Sequence, residues 1–101
     1  MTDKLIDFTS RHRIFGTWAN DPENPSVEWD VYPVGTDVDV AGIDAEDGEK
    51  FEVSHVTFDG TVLRFRAVMP STGHVTEHEL RLLDDGRAEH RVTLIEQLHR
   101  L

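Results

Sequence analysis

Three of the chain's six histidines, His55, His78 and His90, fall in phase with apolar residues when their surroundings are read as strands. His55 alternates with Val53 and Phe51, His78 with Leu80 and Leu82, and His90 with Val92 and Leu94. Three inward imidazoles could hold a zinc or iron ion, act as general acid and base on an enclosed molecule, or serve as hydrogen-bonded core residues. Trp29, Phe51, Phe65 and Met69 would line an apolar pocket beside them, or fill the same space as plain core. The residues flanking the histidines have another role. Glu77, Glu79, Glu89 and Arg91 point to the opposite face of their strands, as do Arg64 and Arg66, and form a solvated outer surface of cross-strand pairs.

Other chemistry is thin. There is no cysteine, which removes disulfides, thiolate metal sites and a thiol nucleophile. No nucleophile-elbow, phosphate-loop or dinucleotide motif is present, so nucleotide and hydrolase readings have no support. The expected site therefore has no metal and no cofactor. The formal net charge of -10 repels phosphate backbones and anionic membrane surfaces, which argues against nucleic acid and membrane partners. No apolar run approaches the ~18 residues of a membrane span. The opening Met1-Thr2-Asp3-Lys4 lacks the basic-then-apolar profile of a signal peptide, and the expected location is cytoplasmic.

The elements that must position these residues are nearly all strands. A length of 101 residues sets one domain, 1–101. Thr2 to Arg13 is expected to form a short N-terminal helical turn, with Leu5, Ile6 and Phe8 as its apolar face. Seven antiparallel strands follow near 14–20, 26–34, 36–45, 49–57, 61–69, 74–83 and 87–97. Asp21-Pro22-Glu23-Asn24-Pro25 breaks the first from the second, because proline denies ladder donors. A turn at Val34-Gly35 would pair Val31 with Val38 and Trp29 with Val40. Ile43 is out of phase with Val38 and Val40, and a bulge near Ala41-Gly42 would return it to the core. Glu46-Asp47-Gly48, Phe58-Asp59-Gly60 and Asp84-Asp85-Gly86 suit three-residue hairpin loops with glycine in the left-handed region. Those loops pair Ile43 with Phe51, His55 with Leu63, Val53 with Phe65, and Phe51 with Ala67. They also pair Leu82 with Ala88, Leu80 with His90, and His78 with Val92. Sequential hairpins favour an all-β, antiparallel up-and-down meander of about seven or eight strands closed as a small barrel.

Phe15-Gly16-Thr17-Trp18-Ala19-Asn20 resembles the first-strand motif of the calycins, the lipocalins and fatty-acid-binding proteins. Gly16 and Trp18 carry the resemblance closely, and the meander after them loosely. It implies a lipocalin-like barrel in which Trp18 closes one end, Gly16 and Trp18 are structural, and the lumen holds a small apolar ligand. It also implies an arginine over the tryptophan, for which Arg91 and Arg100 are the candidates. The chain departs from that pattern in being short and in having an odd strand count.

The expected function is binding of a small hydrophobic molecule in the lumen by Trp29, Phe51, His55, Phe65, Met69, His78 and His90. One alternative is a cyclase or isomerase of secondary metabolism that uses the lumen as its active site. Another is a dimeric interaction module, a homodimer that closes an incomplete barrel across subunits.

Overall fold

The computed structural model describes residues 13–101. The helical turn expected over 2–13 lies outside the described residues, apart from Arg13. The strands are β1 (Gly16–Ala19), β2 (Val27–Val34), β3 (Asp37–Asp44), β4 (Glu52–Phe58), β5 (Val62–Val68), β6 (Val75–Leu82) and β7 (Ala88–Ile95). All pair antiparallel, within a few residues of the segments read from alternation. They form a three-stranded sheet, β1-β2-β3, and a four-stranded sheet, β4-β5-β6-β7. Within each sheet every strand pairs with its neighbour in the chain, and between β3 and β4 the isolated bridge of Ile43 to Lys50 links the two sheets. β1 and β7 are the outer strands, and no ladder joins them among the described residues. The architecture is two antiparallel sheets facing one another.

Alternation builds the core. On β2, Trp29 and Val31 are buried while Asp30 between them is exposed. On β5, Leu63, Phe65 and Ala67 are buried, and on β6 so are His78, Leu80 and Leu82. Ile14, just before β1, is fully buried in the same cluster. Removing each large apolar side chain from water contributes roughly 1.5–3 kcal/mol, so this one cluster supplies most of the cohesion between the sheets.

Several pairings differ from those read in the sequence. The turn between β2 and β3 is Gly35-Thr36, because Val34 pairs with Asp37. That slides the register two residues, to Val31 opposite Val40 and Trp29 opposite Gly42, and an even slip leaves the apolar faces together. The β2–β3 ladder runs without a bulge, so Ile43 stays on the other face from Val40. Gly42 explains why none is needed. A Cβ there would collide with the Trp29 ring, so the missing side chain is the space the indole occupies.

The β3–β4 contact is one residue out of the expected register: Ile43 meets Lys50, and the Phe51 amide donates to the Gly42 carbonyl at 3.0 Å. In the β4–β5 hairpin, the Asp59 carboxylate accepts from the amides of Thr61 at 3.0 Å and Val62 at 2.8 Å. This local cap makes Phe58 pair with Leu63 and Val53 with Ala67, and a bulge between Ser54 and Thr57 takes up the difference. The β6–β7 hairpin has the expected register throughout, with Leu82 opposite Ala88, Leu80 opposite His90 and His78 opposite Val92.

Candidate functional site

Strands β1 and β2 on one side and β6 and β7 on the other bound an open cleft of about 520 Å³. Trp18, Val27 and Trp29 form the wall from the three-stranded sheet, and Leu80, Ala88 and Val92 line the wall opposite. His78 and His90 also lie in the second wall. Asn20 and Ser26 stand at the rim, where the Asn20 side-chain oxygen accepts from both the amide and the hydroxyl of Ser26 at 3.2 Å.

The motif around Trp18 works through backbone and hydrogen bonding. Gly16 has φ +132°, a conformation that favours glycine, and a Cβ there would touch nothing. Its contribution is therefore the chain's path into β1. Trp18 sits directly across from Trp29 in the β1–β2 ladder, and its indole N–H donates to the Ile14 carbonyl at 2.8 Å. Both tryptophans thus present to the cleft. Arg91 pairs across the sheet with Glu79 on the alternate face from His90, and Arg100 lies in the exposed C-terminal segment.

Aromatic packing joins the cleft to the core. The Trp29 ring lies 4.6 Å from His78, 5.0 Å from Phe65 and 5.0 Å from Phe51, tilted in each case. Phe65 and His78 stack nearly parallel at 4.8 Å, and His78 stacks on His90 at 5.1 Å. Such ring pairs are worth about 0.5–1.5 kcal/mol beyond area burial, which fixes the imidazole planes.

His78 is 7% exposed and spans two hydrogen bonds. Its Nε2 lies 2.7 Å from Thr76 Oγ1, and its Nδ1 lies 2.9 Å from His90 Nε2. Thr76 Oγ1 also donates to the Ala67 carbonyl at 3.5 Å. Burial, followed by the charge His90 would carry, pushes the His78 imidazole down to about 4. Burial also lowers His90. Both rings are accordingly neutral near pH 7, a state in which each has one donor and one acceptor nitrogen.

Of the residues expected at the site, Trp29, His78 and His90 line the cleft. Phe65 is buried and stacks on His78, and Phe51 packs against Trp29; neither lines the cleft. Met69 does not line the cleft; it holds the β5–β6 turn, where its amide donates to the His74 carbonyl at 3.0 Å and its carbonyl accepts from Gly73 at 2.8 Å. His55 is exposed. The bulge gives it φ +56°, and its Nδ1 lies 3.0 Å from the Ser54 hydroxyl. One added residue in β4 therefore takes His55 out of phase with Leu63. Among the described residues, no group of three or more His, Asp or Glu is placed to hold a metal ion.

Sequence reasoning missed Thr76, although its signal was available: it lies two residues before His78, on the same face of β6. Leu80 is core, as read, with an edge on the cleft, whereas Val92 was read as core and is 53% exposed on the cleft wall. The outer face of the four-stranded sheet is as expected. Arg64 pairs with Glu79 at 3.1 Å and Arg66 with Glu77 at 2.8 Å, across β5 and β6. Among the described residues, no helix is long and apolar enough to cross a membrane.

No family model, no curated protein and no solved structure matches the chain.

Proposed function

We propose that the chain is a lipocalin-like barrel, open along the seam between β1 and β7, that binds a small hydrophobic molecule in that opening. The observation that carries this reading is the cleft itself, about 520 Å³ in volume, with Trp18 and Trp29 facing Leu80 and Val92 across it. Apolar walls with a few convergent polar groups are what small-molecule sites require. The Gly16-Thr17-Trp18 motif adds to it, since both of the chain's tryptophans reach the cleft.

The test is a titration with a neutral apolar dye such as Nile red, read by dye emission and by tryptophan fluorescence. Saturable binding at one site is expected. Val92→Glu places an unpaired carboxylate in the wall and should abolish binding while circular dichroism stays unchanged. A panel of neutral apolar dyes with no saturable binding would sink the reading.

A second reading is favoured by the neutral His78–His90 pair. A neutral imidazole on the wall of an apolar cleft suits general acid–base work in a cyclase or isomerase of the same fold. Replacing His78 or His90 singly should then impair turnover while the protein stays folded. Loss of folding alone would make the pair structural.

A further inference from the structure

The polar end of the cleft is a hydrogen-bond chain with a direction. A backbone carbonyl can only accept, so the chain starts at Ala67 with Thr76 Oγ1–H donating to it. The Thr76 oxygen then accepts from His78 Nε2–H at 2.7 Å. That tautomer leaves His78 Nδ1 bare, and it accepts from His90 Nε2–H at 2.9 Å. His90 Nδ1 is left without a proton and without a partner among the described residues. The opposite polarity has Thr76 donating to His78 and His78 donating to His90. It gives up the contact to Ala67, the longest of the three at 3.5 Å, and keeps only the two shorter hydrogen bonds. In a half-buried network the fuller set is favoured.

The rest of the cleft narrows the choice of ligand. Among the described residues, no lysine, arginine, aspartate or glutamate lines it. An anionic ligand would enter without a counter-charge, in a chain of net charge -10. It would also bring an acceptor against the bare His90 Nδ1, where two lone pairs meet.

The geometry points to a neutral apolar ligand with a single hydroxyl donor, a phenol or an alcohol, whose O–H donates to His90 Nδ1. This deepens the cleft-binding reading and rests on it. Thr76 acts through His78 as a positioning residue, setting which nitrogen of His90 is left free.

The experiment is calorimetric titration of the full chain at neutral pH with three probes of one shape: 2-naphthol, 2-methoxynaphthalene and 2-naphthoate. The naphthol should bind about three- to tenfold more tightly than the methyl ether, the range one net hydrogen bond supplies, and the naphthoate should bind most weakly. His90→Leu should erase the naphthol's advantage over the ether. Equal saturable binding of naphthol and ether overturns the donor assignment and leaves the cleft reading standing. Failure of all three probes to bind overturns both. Nitrogen-15 NMR of the unaltered protein decides the point even if His90→Leu does not fold. A bare Nδ1 and a protonated Nε2 on His90 are expected, and a protonated Nδ1 would overturn the assignment.

Discussion

Strands β5 and β7 flank β6 on either side and carry similar patterns, yet their inward faces end differently. On β5, Leu63, Phe65 and Ala67 are at most 3% exposed. On β7, Val92 and Leu94 are 53% and 54% exposed, and His90 is exposed as well. Both strands alternate apolar with charged residues, so the difference does not come from patterning. It comes from what lies opposite. Trp29 from the three-stranded sheet covers β5 and the inner part of β6, while β1 is only four residues long and, among the described residues, leaves β7 uncovered. Alternation states which face a strand turns inward. The reach of the opposing sheet decides whether that face becomes core or the wall of a cleft.

The contrast can be broken most forcefully from the β5 side. Leu63→Ala should cost roughly 2–5 kcal/mol, because a fully buried leucine leaves a cavity the close-packed neighbours cannot fill. Urea unfolding measures it, and a loss below 1 kcal/mol would mean β5 is not the packed strand described. Acid tests the middle strand next. The folded state holds His78 at about 4, against 6.5 for a free imidazole, so the unfolded chain takes up the proton first as pH falls. The stability from the neutral ring is complete above pH 6.5 and is lost between 6.5 and about 4, on the order of 3 kcal/mol at about 1.4 kcal/mol per pH unit. His90 shifts in the same direction. Unfolding midpoints at pH 7 and pH 4.5 should differ accordingly, and His78→Leu should reduce the difference. Gly42→Ala comes third. Its methyl group would press into the Trp29 ring, an overpacking expected to cost about 1–3 kcal/mol, with a change in near-ultraviolet circular dichroism from the displaced indole. The smallest effect is on β7. Val92→Ser should move stability by no more than about 0.5 kcal/mol, yet weaken any apolar ligand, which an unfolding curve and a dye titration separate cleanly.

Much of the fold was legible. Alternation placed seven strands, and the β6–β7 register followed from the Asp84-Asp85-Gly86 loop, where the Leu83 amide donates to the Arg87 carbonyl at 2.8 Å. The same reasoning misplaced β4 against β5, since an x-D-G loop does not reveal that Asp59 will cap two amides and shift the closing pair. His55 was lost with that shift, because one extra residue in a strand moves a side chain across the sheet. His78 and His90 were recovered because their hairpin has the register its loop implies. Their contact with each other, and with Thr76, depends on side-chain geometry that strand phase does not specify.

The fit of the Trp29 indole over Gly42 has a consequence for how the chain can vary. The two positions lie on neighbouring strands and share one volume. A side chain gained at 42 is tolerable only with volume given up at 29, so the cost of Gly42→Ala should fall sharply in a Trp29→Leu background. Substitutions there are non-additive, and each residue sets which replacements the other accepts. Since Trp29 also forms part of the cleft wall, a drift at Gly42 on the adjacent strand would reshape that wall from a position that does not line it.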